Sequence, residues 1–262
     1  MQNIDYININ TETLSNRIFY AFVLSEILFF ILDIIINYNR AIDYGPVRRL
    51  FNTAREDSLS SWFMTAQTLL TALTLWLITY LYSHNKERKN FIQRGWLILA
   101  LFFTYLAADD GAKIHERLGS TFKLFMQEQS QLENSFAPFY AYFPSYPWQF
   151  LLLPFFGAMG IFMLIFLWRV FGKSTSMIKI VLALGFLSTA VVLDFIEGLD
   201  KNSPLNLYSL LSEYYHLRDY TVSHFAKSIE ETFEMLGMTL FLHTFISQLS
   251  RVTNKKILFS EN

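Results

Sequence analysis

The sequence predicts an all-α integral membrane bundle of six transmembrane helices with one short amphipathic helix at the interface. Three observations carry this. The 262 residues are 53% hydrophobic and 16% charged, with a mean hydropathy of +0.29, too apolar for an ordinary soluble domain. The apolar residues gather in runs of about 20, the length a helix needs to cross about 30 Å of hydrocarbon. The charged residues collect at the ends of those runs, where water or headgroups can solvate them. Spans joined by short loops use up the whole length, so residues 1–262 read as a single domain.

The amino-terminal stretch from Met1 to Thr13 is polar and has no basic region of the secretory kind, so the first apolar run reads as a retained span. That span runs from about Ile18 to Asn37 and carries Glu26 and Asp33 on one helical face. Glu26 is either solvated through a neighbouring helix or a buried proton or cation carrier, and Asp33 is placed at the interface. A polar connection with Arg40, Arg48, Arg49, Arg55, Glu56 and Asp57 turns at Gly45-Pro46.

The second span covers about Ser61 to Tyr82, and a basic loop from His84 to Lys89 leads to the third, from about Gly95 to Asp109. The helical pattern continues from Gly111 to Phe125, followed by a polar loop over Gln127 to Asn134. Phe136 to Trp148 is aromatic and interrupted by Pro138, Pro144 and Pro147, which suits the headgroup layer. The fourth span, about Trp148 to Phe171, has Gly157 and Gly160 for close helix approach. The fifth covers about Ile178 to Leu193.

Between Lys201 and Lys227, Ser203-Pro204 reads as a helix cap and first helical residue. Leu207, Leu210, Leu211, Tyr214 and Tyr215 then recur at helical spacing, as in a helix lying on a membrane. The sixth span covers about Ile229 to Leu249. Basic residues follow the second, fourth and sixth spans, so both termini are expected in the cytoplasm and the acidic ends of spans three, five and six outside.

Those acidic ends are the functional candidates. On a continuous helix Asp109, Lys113 and Glu116 share a face, flanked by Asp110 and His115. Asp194 and Glu197 are neighbours three apart, and Glu230, Glu231 and Glu234 lie within roughly a third of a helix circumference. Carboxylates so close repel one another unless a proton, a Lys or Arg, or a metal compensates them. One reading is an ion-pair network with Lys113, Arg117, Lys201, Arg218 and Lys227. The other is a divalent metal held by Asp109, His115, Glu116, Asp194, Glu197, Glu230 and Glu234. In that case Glu231 or Asp110 is the general base.

Sharper templates are absent. There is no Cys, hence no thiolate site or disulfide, and no H-E-x-x-H helix, G-x-S-x-G elbow or Gly-rich phosphate loop. Glu213 and His216 make a single Glu-x-x-His where a di-iron bundle needs two. His84 and His243 read as structural. A net charge of -1 argues against a nucleic-acid partner.

Three motifs carry a resemblance. They are Arg55-Glu-Asp57 before Ser61-Trp-Phe63, Asp109-Asp110 followed by Ile114-His-Glu-Arg-Leu118, and Glu230-Glu-Thr-Phe-Glu-Met-Leu-Gly237. With these the chain resembles a group of uncharacterised bacterial multi-pass membrane proteins, in which the first acidic pair is more usually Asp-Glu. The resemblance implies a bacterial inner-membrane location and supports the choice of site residues, without implying a reaction. The expectation is an outward-facing carboxylate and histidine site, first of all that of a metal-dependent hydrolase acting on a lipid-linked or membrane-embedded substrate, with a cation transporter or channel as the alternative. The third alternative is a non-enzymatic membrane subunit with a structural ion-pair network. Polar residues continuing through the spans would favour transport; a closed pocket at one depth would favour an enzyme.

Overall fold

The computed structural model describes residues 7–84, 90–130, 142–252 and 256–259. A strand, β1 (Ile7–Asn10), leads into α1 (Thr11–Asp33), which ends in a π-helical turn over Ile34–Tyr38. Then come α2 (Gly45–Leu50), α3 (Leu59–Ser83), α4 (Asn90–Ala112), α5 (Ile114–Ser130), α6 (Pro147–Phe171), α7 (Thr175–Glu197), α8 (Leu207–Tyr214), α9 (Asp219–Val252) and β2 (Lys256–Phe259). β1 pairs antiparallel with β2, Asn10 opposite Lys256, so the chain's two described ends meet at one end of an otherwise helical molecule.

Local chemistry sets the helix limits. Ser58 and Ser174 cap α3 and α7 by accepting from the backbone N–H groups of Ser61 and Met177. Pro147 opens α6, where its missing N–H costs nothing, and Gly172 closes it at φ +58°. The cap of α8 is Asn206, whose side chain accepts from Ser209 N, and not the Ser203-Pro204 pair, which lies in the turns before the helix. α5 extends to Ser130, beyond the loop start expected at Gln127, and residues 131–141, with the first part of the aromatic segment, lie outside the described residues.

Five helices, α1 with its π turn, α3, α4, α6 and α7, are long and apolar enough to cross a membrane. The sixth expected span falls on α9, which has 34 residues but more polar ones. It runs antiparallel to α1. Ser228 Oγ donates to Asp33 Oδ2, Thr239 Oγ1 to Glu26 Oε1, and Ser15 Oγ meets Ser247 Oγ. From Ser228 to Ser247 is about 28 Å of helix, so α9 passes the whole thickness that α1 passes. It tolerates its polar residues because protein surrounds it: α1, α3 and α7 pack along it, and Met235, Phe241, Leu242 and Phe245 are at most 2% exposed.

The core is aromatic. Trp96 on α4 meets Phe166 on α6 edge-to-face at 5.3 Å, and Phe103 meets Phe241 and Phe245 on α9 at 5.3 and 5.8 Å. Such pairs contribute about 0.5–1.5 kcal/mol each beyond the area they bury. Among helices in lipid, close packing decides association, since lipid tails are as apolar as the side chains. Gly119 on α5 supplies one close approach: a Cβ there would stand 2.6 Å from Trp148 N. Gly157 and Gly160 do not, for a Cβ at either meets nothing within 4 Å.

On α8, Leu207, Leu210, Leu211, Tyr214 and Tyr215 are exposed while Tyr208 is buried and donates its hydroxyl to Leu193 O. The apolar stripe thus points away from the protein, as a helix lying on a membrane surface requires.

Candidate functional site

The carboxylate-bearing ends of α4, α7 and α9 all lie at the end of the bundle opposite the β1–β2 pair. The sequence-derived candidates fall there into three groups.

The first group is Asp109, His115 and Glu116. The helix breaks at Lys113, whose φ is +54°, unusual for a residue with a side chain. The break turns His115 back over α4. Asp109 Oδ1 accepts from His115 N at 2.7 Å, capping α5, and Asp109 Oδ2 accepts from His115 Nδ1 at 2.7 Å. A proton held on Nδ1 leaves Nε2 as the free nitrogen. It lies 3.8 Å from Glu116 Oε1, and the edge of Trp148 packs on the ring at 4.9 Å. The shared face expected for Asp109, Lys113 and Glu116 does not form, because a continuous helix was its premise. Glu116 binds its proton more tightly than an ordinary glutamate, first from partial burial and then from the charge of Glu56 beside it.

The second group is Asp194, Glu197 and Glu230, with oxygens within 4.8 Å of one another. It is the one such metal-sized group among the described residues, and His115 is not in it. The Lys227 ammonium lies against all three, 2.6 Å from Glu230, 3.5 Å from Asp194 and 3.8 Å from Glu197. Gln149 Nε2 donates to Asp194 Oδ2 at 2.9 Å. Glu230 Oε2 is buried with no hydrogen-bond partner. These residues fit a cation of the hard-oxygen kind, but Lys227 already supplies a positive charge there.

The third group is Asp110, Glu231 and Glu234. Thr68 Oγ1 on α3 donates to Asp110 Oδ2 at 2.6 Å. Glu234 feels the charges of Glu231, Glu230, Lys227 and Asp110, and Glu231 those of Lys227 and Lys113. Lys113 is itself 3.7 Å from Glu56. Asp110, Asp194, Glu197, Glu230, Glu231 and Glu234 therefore share the two ammonium groups of Lys113 and Lys227, which leaves carboxylates in excess.

The Arg55-Glu-Asp57 motif explains itself beside this cluster. Arg49 and Arg55 both bind Asp57, the latter at 3.1 Å, and Arg49 first, then Arg55, hold its carboxyl at about 2. Glu56 is thereby turned to Lys113.

Other polar groups line α9, among them the partners of Asp33 and Glu26, which charge alone did not announce. Asp33 is fully buried within the protein. It accepts from Ser228 at 2.7 Å and Asn37 at 2.8 Å, and His224 Nε2 lies 3.6 Å from it and 3.0 Å from Asn52 Oδ1. At mid-bundle Glu26 accepts from Gln67 Nε2 on α3 at 2.7 Å and from Thr239 at 2.5 Å. Toward the other end His243 joins Asn16 of α1, at 3.0 Å, to Lys179 of α7, at 3.1 Å. Glu213 and His216 are exposed, each apart from these groups.

All three motifs lie within residues 19–249, the stretch that matches the model of a family described as a domain of unknown function, DUF8692. No curated protein and no solved structure matches the chain. The match takes in all of α3, α4, α6 and α7, most of α1 and α9, and the whole carboxylate cluster, and the chain belongs to the DUF8692 family.

Proposed function

We propose that this protein binds a cation at its carboxylate cluster and passes it along the polar seam between α1, α3 and α9. One observation carries the reading: polar side chains continue inward from the cluster instead of stopping at its depth. Along α9, Glu234 is followed about 7.5 Å further by Thr239 with Glu26 and Gln67, and about 6 Å beyond that by His243. Buried groups of this kind are costly among membrane helices and are kept where an ion or a proton must pass. The excess of carboxylates supports attraction of a cation to the mouth of the seam.

The test is flux in sealed vesicles. Purified protein in liposomes with a pH-sensitive dye, or an indicator for Na⁺ or Mn²⁺, should show ion entry driven by an imposed potential. Asp110→Asn or Glu231→Gln should cut the entry about tenfold or more. Entry equal to that of protein-free liposomes for every ion would end this reading.

The Asp109–His115 pair favours a second one, a metal-dependent hydrolase of a lipid-linked or membrane-embedded substrate. The free Nε2, with Glu116 and the neighbouring acids, has the donor set a divalent ion takes. When bound, such an ion would acidify a water, and Asp109 would orient the imidazole. Melting unchanged by chelator and by added Zn²⁺ or Mn²⁺ counts against this reading alone.

The basic residues after the second, fourth and sixth spans support the location proposed here, a bacterial inner membrane with both termini cytoplasmic and the cluster outside.

A further inference from the structure

We infer that Glu26 is an exchangeable proton site at the middle of the bundle, with Gln67 and Thr239 as the groups that hold the carboxyl in either protonation state. Glu26 and Gln67 are both 0% exposed, and Thr239 is 1% exposed. One carboxyl oxygen, Oε1, accepts from Gln67 Nε2 and from Thr239 Oγ1, which are themselves 2.6 Å apart. The other, Oε2, is buried without a partner, and so is Gln67 Oε1. Two adjacent side chains thus each leave an acceptor oxygen unmet, and a carboxylate cannot donate to either.

Ionised, Glu26 would keep a full charge away from water with one oxygen unsolvated, and its hydrogen-bond partners, Gln67 and Thr239, are neutral. Charged and titratable neighbours are distant on every helix packed against it. On α1 the nearest are Tyr20, Asp33 and Arg17, six, seven and nine residues away; on α9 they are Glu234 and His243, five and four residues from Thr239; α3 carries only Tyr80 and Tyr82. A proton on Glu26 removes the charge and supplies the missing donor.

A half-turn of the Gln67 amide exchanges its N–H₂ for its oxygen, so the contacts that donate to a carboxylate become contacts that accept from a carboxyl. Both states of Glu26 therefore have a bonded arrangement in the same space, which a purely structural hydrogen bond would not need. A metal ion at this point would want more oxygens than the trio of Glu26, Gln67 and Thr239 offers. The inference deepens the transport reading by naming the ion at mid-depth as a proton. It rests on that reading only for the use of the site.

Infrared difference spectroscopy of the lipid-reconstituted protein tests it. The wild type should show a protonated-carboxyl C=O band at neutral pH that shifts within minutes in D₂O and is missing in Glu26→Gln. Glu26→Gln is isosteric and neutral, so its melting temperature should stay within a few degrees of the wild type. A band set identical in wild type and Glu26→Gln at every pH where both are folded overturns the inference. A band that is lost in the variant but never shifts in D₂O overturns it too, since that proton does not exchange. Should Glu26→Gln fail to fold, Gln67→Leu leaves the carboxyl and removes its partner, and must move the band to higher frequency; an unmoved band has the same overturning force. Absent proton flux with the exchanging band present would reject the transport reading and leave the proton site standing.

Discussion

Lys227 Nζ lies 2.6 Å from Glu230 Oε1, three residues along α9, and from there also touches Asp194 and Glu197 of α7. The ammonium takes the position that a metal ion would take among the same three carboxylates. Like charges from two helices are held together by one counter-charge, so removing that charge has a calculable consequence. Lys227→Met should lower the melting temperature by several degrees, because a mostly buried pair costs about 3–5 kcal/mol to break from one side. Added Mn²⁺ or Ca²⁺ should restore part of the loss in the variant and do less in the wild type. A variant that melts lower and ignores both ions would show that the three oxygens do not make a cation site.

The Asp109 carboxylate both caps α5 and orients His115, and the two roles separate by substitution. Asp109→Ala should cost about 1 kcal/mol as a lost cap and speed amide exchange in the first turn of α5. His115→Ala should leave that exchange slow, since its own backbone N–H still has its acceptor. Equal exchange in the two variants would contradict the capping role.

Glycines of α5 and α6 predict opposite outcomes for the same change. Gly119→Ala drives a methyl into the Trp148 backbone and should destabilise by about 1–3 kcal/mol. Gly157→Ala meets open space and should change stability by less than about 0.5 kcal/mol. Thermal melting of both in one detergent decides the matter.

Acid should stabilise through Glu116. Its proton is held more tightly in the folded chain than in the unfolded one, so the folded state binds more protons as pH rises from the ordinary 4.5. Its contribution is therefore most favourable below that value and declines as pH rises through the folded pKa. The slope of melting temperature against pH should be less negative in Glu116→Gln; an identical slope would remove Glu116 from the titration.

With no native cysteine, single-cysteine probes report sidedness without background. Ser174→Cys, between α6 and α7, and Ser203→Cys, between α7 and α8, should react with an impermeant reagent from opposite sides, Ser203→Cys from outside intact cells. Labelling of both from one side would contradict the crossing of α7.

The sequence by itself determined where the membrane helices lie and which of their ends carry charge, because length, apolarity and positive charge are local properties of a run. It also marked Asp109 to Glu116, Asp194, Glu197 and Glu230 to Glu234 as the positions of interest, since an ionisable group beside hydrocarbon needs a reason wherever the chain goes. Tertiary structure decided what each group meets. In a bilayer the lipid-facing and core-facing surfaces are both apolar, so periodicity cannot tell them apart, and Gly157 and Gly160 could be assigned to a packed face they do not occupy. The break at Lys113 folds His115 onto Asp109, a contact no unbroken helix allows. Counting charges missed Gln67, Thr68 and Thr239, uncharged groups whose weight comes only from being buried against Glu26 and Asp110. Partnership among polar groups depends on which helices lie side by side, and that is a property of the packed bundle and not of any one of its segments.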